Sequence, residues 1–220
     1  MKKVFAILVC VCVLAMGVCG FAESEDFLSE VQGTYVELFP ELSKEEYHQK
    51  WVDAVTPLVG EENAEATIEA LLGMCMADIY GAEATEKYEA DPDSMRFDCY
   101  FLGGMAKMVV EGNRITGLDA DGNEVFSHEY ALQDIENENG FIFYKTEDAD
   151  AGQFTYFAFS PDTMATTWHL EFRYAEDPAD LDSWFVGNYA YWNAAAIEES
   201  YTDEQMTDVI TLFVTENLQG

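Results

Sequence analysis

Residues 95–175 constrain the fold most, because short strand-like runs follow one another there with turn residues between them. The segment GNRITGLDADGNEVFSHEYALQDI contains Asp121-Gly122-Asn123, a hairpin turn signal between two strand-like runs. The segment GFIFYKTEDADAGQFTYFAFS supplies two aromatic-rich runs around an acidic turn, and TTWHLEFRYA supplies another run. Strands at such short and regular spacing favour an antiparallel barrel or sandwich.

Residues 43–90 have the pattern of helices rather than strands. Ser43 and Glu46 have the spacing of a capping box, which predicts a helix start at this point. One face of this helix carries apolar residues at positions i, i+4 and i+8: Tyr47, Trp51 and Val55. Pro57 is expected to end the helix, because proline cannot donate a backbone hydrogen bond.

Further helices are predicted on both sides of the β region. Asn63 is expected to cap a second helix that ends at Gly81, and a short third helix is predicted over 82–89. The apolar stripe of the second helix consists of Ile68, Leu71, Leu72 and Cys75. In the C-terminal part, 178–217, the amphipathic stretch Asp203 to Asn217 places four apolar residues on one side: Met206, Val209, Ile210 and Phe213. The prediction is one α+β domain over residues 23–220, mainly antiparallel β, with barrel strands in 95–175.

Residues 1–22 have the features of a secretory signal peptide. Lys2 and Lys3 precede an apolar run, and Gly20-Phe21-Ala22 offers small residues for cleavage before Glu23. The apolar run is too short to span a bilayer comfortably. An exported protein is therefore expected, periplasmic, extracellular or at the cell surface, without membrane insertion after cleavage. A lipoprotein anchored through Cys19 is the less favoured alternative, since Met16-Gly17-Val18 is a poor lipobox.

Two cysteines, Cys75 and Cys99, remain after cleavage of the signal peptide. A single disulfide is permitted in an exported protein. The sequence alone does not distinguish this disulfide from two buried thiols.

Charge and composition exclude some classes of partner. The formal net charge is −33, while 49% of the residues are hydrophobic and 14% are aromatic. The hydrophobic fraction is enough for a core, so the chain is not a disordered acidic tail. A surface this negative repels phosphates and anionic headgroups and attracts cations, so nucleic acid is excluded as a partner.

The motifs of common enzymes are absent from the sequence. It contains no Gly-x-Ser-x-Gly, no P-loop and no Gly-x-Gly-x-x-Gly. Carboxylate pairs are too abundant in this chain for any one pair to indicate acid and base catalysis. Catalysis by a nucleophile therefore finds little support in the sequence.

The segment FSPDTMATTWHLEFRYAED contains the sharpest candidate for a metal site. On an extended strand His169 and Glu171 share a face, and Asp162, at the end of the preceding strand, can fold back towards them. Imidazole nitrogen and carboxylate oxygen are both ligands of zinc. The alternative is that His169 is a packing or surface histidine. The remaining histidines, His48 on a helix surface and His128, favour structural roles, although His128 can face the same barrel mouth.

Several segments resemble the ZinT (YodA) family of exported zinc- and cadmium-binding proteins. The resemblance runs from about residue 31 to the C-terminus and is loosest over 43–90. It rests on GTYVELFPEL, on the strand succession quoted above and on FTYFAFS…TTWHLEFRYAEDPADLDSWFVGNYAYW. Phe159-Ser160 matches the start of a Phe-Ser-Asp-His element, and His169-Leu170-Glu171 falls on a His-x-His strand. Tyr201-Thr202-Asp203-Glu204 falls at the start of the last helix.

The resemblance implies a lipocalin-like (calycin) barrel with helices, no enzymatic activity and Zn²⁺ held by three histidines at the barrel mouth. It also implies zinc capture outside the cytoplasm, with possible transfer to the solute-binding protein of a zinc ABC importer. This chain departs from the pattern at two ligand positions, where Asp162 and Glu171 replace histidine, and it lacks the His-rich mobile segment. The implied site is thus Asp162, His169 and Glu171, which we expect to select zinc less strongly than three histidines would.

Three other hypotheses remain open at the level of sequence. The altered ligand set can be a site that has lost its metal and become a hydrogen-bonded network. A lipocalin-like barrel can instead hold a small apolar molecule, and the aromatic residues of 141–159 can line such a cavity. The third hypothesis is an acidic interaction module whose partner has a basic surface.

Overall fold

The computed structural model describes residues 26–74, 90, 99–137, 140–161, 164–182 and 194–219. Within these residues, nine strands form one antiparallel sheet in the order β4-β3-β2-β1-β9-β8-β7-β6-β5. The strands are β1 Gly33–Glu37, β2 Lys107–Glu111, β3 Arg114–Leu118, β4 Glu124–Glu129, β5 Ala131–Gln133, β6 Ile142–Lys145, β7 Tyr156–Phe159, β8 His169–Ala175 and β9 Ala194–Glu198. The α-helices are α1 Phe27–Glu30, α2 Leu38–Leu42, α3 His48–Val59, α4 Glu61–Met74, α5 Met164–Thr167, α6 Pro178–Asp182 and α7 Asp203–Gln219.

The sheet curls into a nearly closed barrel because one stretch of chain joins its two edges. Strands β4 and β5 stand at opposite ends of the sheet order, but only Tyr130 separates them in sequence. Strand β4 pairs with β3, and β5 pairs with β6. The predicted α+β fold with a lipocalin-like barrel is therefore confirmed.

The inside of the barrel is filled with large side chains. Alternate residues of the strands point inwards, as the period of two along a strand requires. The innermost aromatic rings, all with no measurable exposure, include Phe157, Phe159 and Phe172. Gly117 makes room for one further ring, since a Cβ atom there would lie 2.2 Å from Phe126 Cε1. The interior is thus a packed core across the described residues.

The outer face of β1 and β9 is covered by helices. Trp51 and Val55 of α3, together with Ile68 of α4, are buried in the same cluster as Ile197 of β9. The predicted stripe of α3 is therefore confirmed, and its Trp51 indole also donates to the Leu42 carbonyl at 3.0 Å. In α7 three of the predicted stripe residues are buried and Phe213 packs against them at the margin.

The predicted start and end of α3 are wrong. Ser43 does not form a capping box, because its hydroxyl donates to the Phe39 carbonyl at 2.5 Å, and a 3₁₀ turn, Glu45–Tyr47, precedes the helix. Pro57 lies inside the helix, which continues to Val59. Proline removes one hydrogen bond, but Gly60 N still donates to Thr56 O at 2.9 Å and closes the last turn.

The predicted start of the second helix is also wrong. Helix α4 begins at Glu61, and the Asn63 side-chain amide donates to the Val59 carbonyl at 2.9 Å instead of capping. Ile68 and Leu71 are buried as predicted. Cys75, the helix end at Gly81 and the third helix over 82–89 lie outside the described residues, as does the signal peptide over 1–22.

The predicted span of the barrel strands, 95–175, is too narrow. Strand β1 precedes it, and β9 lies inside the region 178–217 that was predicted to be helical. Three of the five residues in β9, Ala194, Ala195 and Ala196, are alanines that occur more often in helices than in strands. Because β9 is buried on both faces between β1 and β8, its tertiary environment overrides this local preference.

None of the helices in the described residues combines the length and the apolar character that crossing a bilayer requires.

Candidate metal centre

His169 and Glu171 lie on the outer face of the barrel wall, at the start of β8. Leu170 and Phe172, which alternate with them, belong to the interior cluster. His169 pairs across the strands with Ile197, whose side chain lies in the outer cluster under the helices. The two candidate ligands therefore point away from the barrel interior and towards the side that carries α7.

The two candidate side chains approach each other closely. His169 Nε2 lies 3.7 Å from Glu171 Oε1, with side-chain exposures of 14% and 36%. Two ligands about 2.1 Å from a tetrahedral zinc ion are about 3.4 Å apart, so this spacing needs only a small adjustment to accept the ion. The pair lies within reach of solvent, which a metal ion requires for entry.

The His169 ring is oriented in part by a contact of its Nδ1 atom. Nδ1 lies 2.7 Å from the Thr167 carbonyl oxygen. A carbonyl only accepts hydrogen bonds, so Nδ1 must carry the hydrogen. In the neutral ring Nε2 then carries the lone pair, as it does in metal-binding histidines that donate through their other nitrogen.

The spacing of His169 Nε2 and Glu171 Oε1 is compatible with a shared positive group, either a proton on the imidazole or a bound cation. Neither the neutral Nε2 nor the ionised Glu171 carboxylate can donate a hydrogen bond to the other. A divalent cation between these atoms interacts favourably with both. The pair therefore offers two ligand types that zinc accepts, which is two of the four ligands of a tetrahedral site.

The third predicted ligand, Asp162, lies outside the described residues. Across the described part of the chain, no group of three or more His, Cys, Asp or Glu side chains is arranged to share one ion. The participation of Asp162 stays a prediction.

A strained backbone residue directly precedes the candidate centre. Trp168 has a φ angle of 58°, and no other non-glycine residue described in the structure has a positive φ. Its indole N–H donates to Asp208 Oδ2 of α7 at 3.2 Å. This conformation was not predictable from the sequence, because nothing in the local pattern distinguishes a tryptophan in the left-handed region from an ordinary one.

His48, the first of the two other histidines, lies on a helix surface as predicted. Its Nε2 is 3.0 Å from Glu65 Oε2 of α4, and 43% of its side chain is exposed. The contact joins two neighbouring helices at their solvent-facing side. His48 serves as a control residue below.

His128 lies in the barrel on β4, on the same face of the strand as Phe126 and Tyr130. It is 8% exposed, its Nδ1 is 2.9 Å from Asp148 Oδ2, and it borders a solvent-open cleft between β4 and residues 150–154, outside the packed interior. Burial, with a smaller contribution from Asp148, raises the pKa of Tyr130, whose hydroxyl donates to the Phe154 carbonyl. The contact with Asp148 was not predictable from local patterns, because 20 positions separate the two residues.

Comparisons with known proteins give structural likeness only. No family model matches the chain, and no curated protein matches it. Among solved structures, the Zn(II)-bound ZinT-like domain of Streptococcus pneumoniae AdcA is similar, with 13% identity, a TM-score of 0.47 and coverage of 85% of this chain and 89% of that one.

Zn(II)-bound AdcA from the same organism is also similar, with 13% identity and a TM-score of 0.44. The match covers 84% of this chain and 35% of AdcA, so this chain spans about a third of that protein. Since identity and both TM-scores are low, the likeness assigns no function to this chain.

Proposed function

We propose that this chain is an exported protein that binds zinc or a related divalent cation through His169 and Glu171, with Asp162 as a third ligand. The observation that carries the proposal is the 3.7 Å approach of His169 Nε2 to Glu171 Oε1, with Nδ1 of the same ring turned to the Thr167 carbonyl. The two similar solved structures are of Zn(II)-bound proteins, but their likeness is too low to add weight.

The charge of the protein suits it to cation capture. A net charge of −33 raises the concentration of divalent cations near the surface. This effect does not discriminate among ions, whereas the imidazole of His169 favours zinc and cadmium over calcium. We propose that the acidic surface collects cations and that the His169–Glu171 pair retains the metal.

In this proposal the protein binds and carries its metal, and catalyses no reaction. Its export is proposed on the signal-like residues 1–22. A zinc importer's solute-binding protein is the proposed recipient of the ion. Two carboxylates in place of histidines weaken the preference for zinc, which also suits a protein that releases its ion readily.

Zinc titration of the metal-stripped protein tests the proposal. We expect one zinc ion per chain to bind with an affinity that survives a large excess of Ca²⁺ and Mg²⁺. Ions held only by the diffuse acidic surface will be displaced by that excess, because screening weakens exposed electrostatic interactions. Zinc binding that disappears in the presence of excess Ca²⁺ would refute a specific site.

Replacing Glu171 with histidine should increase the preference for zinc. The substitution restores His-x-His on β8, and a second imidazole is a better ligand for zinc than for manganese or calcium. We expect about a tenfold gain in zinc affinity relative to manganese, or about 1.4 kcal/mol. Competition titrations of the two metals measure this ratio.

The matched control for this substitution is Glu129→His, on an exposed position of β4. It adds a histidine with the same change in charge but away from β8. An equal gain in both variants would show that Glu171 is not a ligand.

A further inference from the structure

The left-handed backbone of Trp168 changes the direction of the chain between α5 and β8. Its φ angle is 58°, a conformation that residues other than glycine rarely adopt. Strained residues of this kind persist only where the surrounding structure holds them. The contacts of Trp168 therefore indicate what holds the turn in place.

Helix α7 supplies the contact that holds Trp168. The indole N–H donates to Asp208 Oδ2 at 3.2 Å, and the ring packs against the outer cluster beneath the helices. Asp208 itself is exposed on α7, next to the buried Val209. A helix distant in sequence thus fixes the conformation of the residue immediately before His169.

The turn at Trp168 determines which way the His169 ring points. In an extended strand, Cα atoms two residues apart are about 6.6 Å from each other, and the side chain of the later residue points away from the carbonyl of the earlier one. The left-handed residue brings the Thr167 carbonyl to 2.7 Å from His169 Nδ1. The Thr167 hydroxyl also donates to the His169 carbonyl at 3.2 Å, which gives the turn a second hydrogen bond between the same two residues.

We infer that Trp168, anchored on Asp208, is a positioning residue that holds the His169 imidazole with Nδ1–H on the Thr167 carbonyl and Nε2 towards Glu171. The role of this arrangement in metal binding rests on the proposed function. Residues that orient a ligand histidine in this way commonly change metal affinity 10- to 100-fold when they are replaced.

The experiment measures the tautomer of His169 in the metal-free protein by ¹⁵N NMR of the ring nitrogens, at a pH where imidazole is neutral. We expect the wild-type ring to be protonated at Nδ1. In Trp168→Phe, which keeps an aromatic ring without the N–H donor, and in Asp208→Ala, we expect a mixture of tautomers. Asp208→Asn keeps an acceptor oxygen for the indole and should retain the wild-type tautomer.

Zinc affinity is measured on the same four proteins by competition with a chelator. We expect about a tenfold loss in Trp168→Phe and in Asp208→Ala, and a change of less than about twofold in Asp208→Asn. Asp208 is exposed, so its replacement leaves the core intact and the comparison does not depend on the tryptophan variant.

The results separate this inference from the proposed function. An unchanged tautomer in both Trp168→Phe and Asp208→Ala overturns the positioning role, as does a lost tautomer with unchanged zinc affinity. If the wild-type protein fails to bind zinc while the variants lose the tautomer, the proposed function fails and the control of the ring by Trp168 stands.

Discussion

Replacement of Phe157 by alanine is expected to lower the free energy of unfolding by about 3–5 kcal/mol, the usual cost of deleting a large buried ring. Phe157 has no exposed surface and lies at the centre of the barrel. Its ring contacts five others, at centroid distances of 5.0 to 6.0 Å: Phe126, Tyr130, Phe159, Phe172 and Tyr174. Equilibrium unfolding in urea measures the loss.

Leu132→Ala is the control for this substitution, since Leu132 on β5 is 48% exposed. It removes a large apolar side chain from the same barrel, but we expect less than about 1 kcal/mol of destabilisation at such an exposed position. A cost at Phe157 no larger than the cost at Leu132 would contradict a packed interior.

The same comparison bears on the hypothesis that the barrel holds a small apolar ligand. A barrel built around a ligand leaves space among its inward-facing residues, and ligand binding then stabilises it. Here the inward-facing rings contact one another directly. We accordingly expect no stabilisation of the wild-type protein by apolar probes, which leaves the outer face of β8 as the better candidate for function.

The barrel was predictable because its signals are local. Turn residues such as Asp121-Gly122-Asn123 mark the ends of short strands, and alternation along β8 assigns Leu170 and Phe172 to one face. The helix stripe of Trp51 and Val55 was predictable for the same reason, since its period of 3.6 depends only on neighbouring residues.

Features that depend on distant parts of the chain were not predictable. The alanines of β9 form a strand only because β1 and β8 lie on either side of it. The join between β4 and β5, which brings the sheet's edges together, has no sequence signal of its own. Likewise, the polar contact between His128 and Asp148 and the hydrogen bond between Trp168 and Asp208 form only in the folded chain.

The candidate site also combines a feature that was predictable from local sequence with one that was not. The spacing of His169 and Glu171 was enough to predict a shared face, and the structure places their polar atoms 3.7 Å apart. Whether His169 and Glu171 face the barrel interior or its outside was not predictable, because this depends on which residues fill the interior. The resemblance implied a site at the barrel mouth, whereas both side chains lie on the outer face at the start of β8.

Replacement of His169 by alanine is the most direct test of the proposed function and is expected to weaken zinc binding on the order of 100-fold or more. Replacing a residue that only orients a metal ligand commonly weakens metal binding by about 10- to 100-fold. His169→Ala removes the ligand itself, so we expect at least the upper value. A 100-fold loss corresponds to about 2.7 kcal/mol of binding free energy. Competition titration against a chelator of known affinity measures it.

His48→Ala is the matched control, because it also removes an imidazole but from the exposed surface of α3. We expect His48→Ala to bind zinc within about twofold of the wild type, since no ligand is lost. His169 is partly buried with 14% exposure, so thermal unfolding of each metal-free variant establishes that the loss is not a loss of folded protein. Equal zinc binding by wild type and His169→Ala would place any metal site elsewhere and reduce His169 to a structural residue at the start of β8.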